Sequence, residues 1–275
     1  MNATVSDFYY GAVTPIAAYV MACLGAGLGL RCTTRSLRRT RGGHRAGWLM
    51  LGAVSLGCGI WAMHFIAMIG FSVQGALVSY DPAMTLLSLA VAIAVVAVGV
   101  FLVGYRGVAP LNLGIAGTVT GLGVAAMHYL GMAAMQTHGT LHYSVPTVVT
   151  SMVIAVVAAT AALWAAVSIH GLWSSLGASL VMGIAVTGMH YTGMAAVSVH
   201  LTSQTEVAQS SASLLSFLLV MLVGPLSVLL IAGVIVMFDP DMMLGDDERE
   251  APETLAVPVF STEPVIESPA PYTHH

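Results

Sequence analysis

Three short stretches decide the fold: WAMHFIAM (61–68), AAMHYLGM (125–132) and TGMHYTGM (187–194). Their histidines, His64, His128 and His190, are separated by 64 and 62 residues. Each interval is long enough for two membrane spans and two loops. Two crossings return a chain to the side it left, so all three motifs are expected at one depth. The unit is a helix pair repeated in parallel orientation. Small residues recur around each histidine. Glycine stands seven residues before it (Gly57, Gly121, Gly183), and Ala67, Gly131 and Gly193 stand three after it. Small residues let membrane helices approach closely, and helix packing is the role expected of them.

The composition around these motifs is that of a membrane protein. Of 275 residues, 7% are charged and 57% hydrophobic, with a mean hydropathy of +0.89. A soluble domain carries about 25% charge. So few charges cannot clothe a water-facing surface, which excludes a cytosolic enzyme, a nucleic-acid binder and a disordered chain. Seven stretches are long and apolar enough to span: 8–30, 46–69, 84–103, 113–134, 148–169, 176–197 and 213–238. The expected fold is therefore all-α and integral to the membrane. It has seven transmembrane helices, built from three tandem helix pairs plus a seventh helix. Pro15 and Pro225 fall inside spans, where membrane helices tolerate proline.

The charges set the orientation. Six of the eight basic residues, all arginines, lie in RCTTRSLRRTRGGHR (31–45); Arg106 and Arg249 complete the set. With seven spans all of them fall on one side, which the positive-inside rule makes cytoplasmic. The N-terminus and loops 70–83, 135–147 and 198–212 are then outside and the C-terminus is cytoplasmic. Residues 1–238 form the membrane domain. Residues 239–275 hold nine of the twelve acidic residues and six prolines, and read as a disordered cytoplasmic tail. Three cysteines, Cys23, Cys32 and Cys58, suggest neither a disulfide framework nor a zinc site.

Met-His-x-x-x-Met places each histidine and the methionine four residues on as neighbours on one helix face: His64/Met68, His128/Met132 and His190/Met194. The preceding Met63, Met127 and Met189 point about 100° away and can reach an adjacent helix. Imidazole with thioether is a copper ligand set, and thioether favours Cu(I). No carboxylate is close to the motifs in sequence, which argues against magnesium, calcium and di-iron sites. Haem fits less well, because no Cys-x-x-Cys-His attachment is present. The alternative is that the histidines merely bond helix to helix, a feature copied by duplication. Histidines inside a membrane are costly and usually functional, so a shared site is the stronger reading. His138, His142 and His200 form a second group, readable as an outward-facing access point for metal. Tyr129 and Tyr191, replaced by Phe65 in the first copy, suit either a ligand contact or an interfacial aromatic belt.

Met63-His64-Phe65, Met127-His128-Tyr129 and Met189-His190-Tyr191-Thr192, in three copies within seven spans, resemble the MHYT domain of bacterial membrane signalling proteins. The resemblance covers about residues 8–238. It implies a sensory domain of the bacterial cytoplasmic (inner) membrane, binding copper near the outer face and sensing a diatomic gas such as oxygen, carbon monoxide or nitric oxide. The ligand positions it implies are Met63, His64, Met68, Met127, His128, Met132, Met189, His190 and Met194. Family members are often fused to domains that make or break cyclic di-GMP. No such domain fits a 37-residue tail, so the stand-alone, non-enzymatic form is expected, its output passing through a separate cytoplasmic signalling partner or through the tail. A copper-handling protein that assists a membrane metalloenzyme is the alternative function.

Overall fold

The computed structural model describes residues 2–3, 5–38, 45–73, 78–136, 139–169, 171–201 and 211–239. Arg39, Arg41, His44, His138 and residues 240–275 of the expected tail lie outside the described residues. Seven helices appear among the described residues. They are α1 (Val13–Arg38), α2 (Arg45–Ile69), α3 (Pro82–Arg106), α4 (Pro110–Ala133), α5 (Val145–Ser168), α6 (Leu172–Met194) and α7 (Ser211–Met237). Six of them are long and apolar enough to cross a membrane. The exception is α6, whose apolar run is diluted by Ser174, Ser175, Gly177, Ser179, Thr187 and His190. The chain is a multi-pass membrane protein.

The helix starts follow local chemistry. Proline has no N–H to lose and a φ suited to the first turn, and Pro82, Pro110 and Pro146 each stand at a first or second helical position. Asp81 caps α3, its carboxylate accepting from the N–H of Met84 at 2.9 Å. The first span differs from its expected 8–30. It begins at Val13 and runs on through Arg31 and Arg35 to Arg38, so the front half of the arginine-rich segment is helix, not loop. The extension is possible because Arg35, buried, donates from Nε and Nη2 to both carboxylate oxygens of Asp239, at 2.7 and 2.9 Å.

Short strands, unforeseen from sequence, close each repeat at the histidine end. Strands β1 (Asn2–Ala3) and β2 (Val5–Ser6) precede α1, and β3 (Ser72–Val73) and β4 (Ser79–Tyr80) lie between α2 and α3. Next come β5 (Met135–Gln136) and β6 (Gly139–Tyr143), between α4 and α5, and β7 (Val197–Leu201) after α6. Strand β2 pairs with β3, β4 with β5, and β6 with β7, all antiparallel. The strand entering each helix pair thus bonds the strand leaving it. One backbone bond recurs six residues past each histidine: the N–H of Tyr9, Asp81 and Ser144 donates to the carbonyl of Gly70, Ala134 and Ala196 at 2.9–3.0 Å. Strand β1 joins β7, so the N-terminus binds the third repeat to the first.

The pairs α1–α2, α3–α4 and α5–α6 pack in succession and α1 meets α6, closing a ring of six helices. Helix α7 lies against α2 and α1. The glycines seven residues before each histidine make the seams. A Cβ on Gly57 would meet Ile93 Cα at 2.9 Å, on Gly121 Val156 Cα at 2.4 Å, and on Gly183 Cys23 Sγ at 2.4 Å. Each therefore faces the first helix of another pair, which is the packing role expected of it.

Candidate metal centre

The closed ring turns His64, His128 and His190 toward one point. All three are 1% exposed. Their Nδ1 atoms form a triangle with sides of 3.0, 3.2 and 3.3 Å. The rings meet edge to face, with centroids 4.9–5.1 Å apart, so each presents one nitrogen to the other two.

Protons cannot satisfy this arrangement. A hydrogen bond between imidazoles needs one N–H and one lone pair. Three mutually facing nitrogens cannot alternate donor and acceptor around an odd ring. A cation at the centre accepts all three lone pairs at once. A triangle of this size has its centre about 1.8 Å from each corner, close to the ~2.0–2.1 Å of a metal–imidazole bond. Coordination through Nδ1 puts the ring N–H on Nε2, and the Nε2 atoms of His64 and His128 are buried without a hydrogen-bond partner. The three buried histidines can hold a metal ion, and the donor set fits one.

Two glycines make room for the triad. The Nε2 of His64 lies against Gly131, where an added Cβ would stand 2.5 Å away, and the Nε2 of His128 lies against Gly193 at the same distance. These residues were expected to serve helix packing. Their closest neighbours are instead the histidines of the preceding repeats, a correction that depends on which helix each one faces.

The six motif methionines are all buried. Met68, Met127, Met132, Met189 and Met194 belong to the main core cluster, and Met63 to a smaller one with Ala18 and Ala22. The nitrogen triangle itself is made by the histidines. The aromatic residue after each histidine packs edge-on against it: Phe65, Tyr129 and Tyr191 lie 4.7, 4.9 and 5.0 Å from their histidine rings. The aromatic ring, and this contact, are common to all three copies, Phe65 included. Tyr129 shares a hydrogen bond with Ser151 at 2.7 Å. His142 is exposed on β6 and His200 lies on β7, paired with Thr140 and Asn2.

Sequence reasoning missed Asp7. It is remote from every motif in the chain, yet the N-terminal turn brings it within electrostatic reach of Tyr191. Phe8 stacks on Tyr191 at 5.7 Å. Burial raises the Asp7 carboxyl above its ordinary pKa. Asp7 thus stands beside Tyr191, while the cluster of ligand atoms itself is made of histidines without a carboxylate among the described residues.

Comparison with known proteins agrees with this geometry. The family described as "Bacterial signalling protein N terminal repeat" (MHYT) matches residues 57–116, 121–179 and 183–237. Each match begins at a seam glycine, one helix out of frame with the strand-closed pairs. The bifunctional diguanylate cyclase/cyclic di-GMP phosphodiesterase MucR of Pseudomonas aeruginosa is 42% identical over 161 residues, 57% of this chain and 23% of its own. The cyclic di-GMP phosphodiesterase NbdA of the same organism is 38% identical over 186 residues, 66% of this chain and 23% of its own. The signalling protein YkoW of Bacillus subtilis is 28% identical over 160 residues, 56% and 20% of the two chains. The chain thus spans less than a quarter of the length of these relatives. No solved structure matches. Three repeats of the family, each supplying one histidine to a buried triad, show that the chain belongs to the MHYT family of bacterial signalling proteins.

Proposed function

We propose that the protein is a sensor of the bacterial cytoplasmic membrane, with one copper ion, Cu(I), held by His64, His128 and His190. The observation that carries this is the Nδ1 triangle. The choice of metal rests on charge. The ligands are neutral and the site is buried in apolar core, and the cost of burying an ion rises steeply with its charge. A monovalent ion is thus favoured over zinc, and the buried thioethers of the same motifs favour copper further. Met63, Met68, Met127, Met132, Met189 and Met194 stand as the thioether candidates. Three imidazoles leave an open position for oxygen, carbon monoxide or nitric oxide.

In this reading α6 is a seventh span, with Ser175, Ser179 and His190 of its polar residues buried in the protein. The arginines at the end opposite the histidines lie in the cytoplasm, and the triad and strands lie toward the outer face. Gas binding would shift the packing of α2, α4 and α6 and reach a cytoplasmic signalling partner. Sensing is favoured over copper delivery because the histidines are 1% exposed, which suits retention of the ion and hinders its transfer. Metal analysis of the purified chain, followed by carbon monoxide addition to the reduced copper form, tests the reading. Bound copper and a spectral change are expected. Copper without a carbon monoxide response would favour delivery; no copper under replete conditions would end the copper reading.

A further inference from the structure

A cavity of about 60 Å³ lies inside the helix ring. Its lining follows from the histidine positions. Ile60, Val124 and Val186 stand four residues before His64, His128 and His190, and Leu56, Thr120 and Met182 stand eight before them. All six line the cavity. Four residues are one helical turn, so the cavity extends from one to two turns beneath the triad, on the faces that carry the histidines. Met189, the neighbour of His190, also borders it. Small side chains leave the space: Ala22 and Ala26 of α1 and Ala158 and Ala162 of α5 are among its lining.

The walls define the occupant. Thr120 is the one hydroxyl-bearing residue in the lining, and its Oγ1 faces the carbonyl of Val95 at 3.4 Å. A buried water needs two to four polar partners, and this lining does not supply them. Ions and polar metabolites are excluded for the same reason. The volume is several times the ~10–15 Å³ that one water requires, yet small beside a lipid tail. Dry apolar cavities bind small apolar guests such as xenon.

We propose that this cavity is a docking site for one uncharged molecule of diatomic size, which waits there beneath the triad. The identity of its natural guest as a gas rests on the gas reading of the triad. The site itself rests on the cavity.

Xenon tests the site without copper. Xenon NMR on the full chain in detergent micelles is expected to show a saturable bound-xenon signal, lost in Ala158→Leu and in Ala162→Leu, with copper per chain unchanged. Ala158→Val, a smaller filling, is the fallback should a leucine variant fail to fold, and should weaken the signal. Carbon monoxide should associate more slowly with the reduced copper form of the leucine variants than with wild type. A folded wild type without saturable xenon, a signal that survives both leucine substitutions, or a lipid or detergent tail occupying the cavity would each overturn the docking site. Xenon binding in a wild type whose copper form ignores carbon monoxide would overturn the gas reading of the triad and leave the docking site standing.

Discussion

A methyl group on Gly131 would stand 2.5 Å from the Nε2 of His64, and one on Gly193 equally close to that of His128. To admit either methyl the facing imidazole must move, which would disturb the nitrogen triangle. Gly131→Ala is therefore expected to lower stability by about 1–3 kcal/mol, the usual cost of overpacking, and to reduce bound metal. Thermal unfolding and metal content of the same sample check both effects. Asp7 gives a pH prediction. Its carboxyl titrates above its ordinary value in the folded chain, so the folded state holds a proton that the unfolded state has released. Stability then falls as pH rises from the unfolded value, about 3.9, through the raised folded one. Asp7→Asn should be more stable than wild type at neutral pH, and the gain should vanish below about pH 4; unfolding midpoints across pH read it directly. The histidines could be found in the sequence because an ionisable residue recurring within apolar spans is conspicuous. The role of Gly131 and Gly193 could not, because a glycine that seats a ring looks like one that packs a helix. Asp7 was hidden by its distance along the chain.

Elements were legible where composition and punctuation agree. Pro82, Pro110 and Pro146 fix the starts of α3, α4 and α5 within a few residues of the expected spans. The strands escaped because five of the seven are two residues long and flank turns, too short for alternation to show. The end of α1 escaped for a different reason: a run of arginines reads as solvated loop unless a distant acid stabilises it. Helix seams give a paired prediction. A Cβ at Gly121 would meet the backbone of Val156 at 2.4 Å, whereas one at Gly114, in the same helix, meets nothing within 4 Å. Gly121→Ala should cost about 1–3 kcal/mol, because backbone cannot yield as a flexible side chain does. Gly114→Ala should be neutral or stabilising by up to about 1 kcal/mol, the gain in helix propensity. A comparison of melting temperatures in one detergent decides the point.

Across the whole molecule, the repeat is tied at both ends. Strands and backbone bonds close each helix pair at the histidine end. At the other end the Arg35–Asp239 pair fastens the exit of α7 to α1. Both side chains are buried, at 5% and 7% exposure, so removing one breaks a buried, two-bond ion pair. Arg35→Ala or Asp239→Ala should each cost about 3–5 kcal/mol, and an apolar replacement of both should recover most of the loss; a double-mutant cycle in chemical unfolding measures this. The ring order of the helices, which turns three equal depths into one point, is not written in any single segment. The central claim is that three repeats build one metal site, not three. The most direct test is copper per chain in wild type and in His64→Ala, His128→Ala and His190→Ala. One copper in wild type, lost or greatly weakened in every single variant, is the predicted result. Three coppers in wild type with two retained in each variant, or wild-type copper in all three variants, would contradict it.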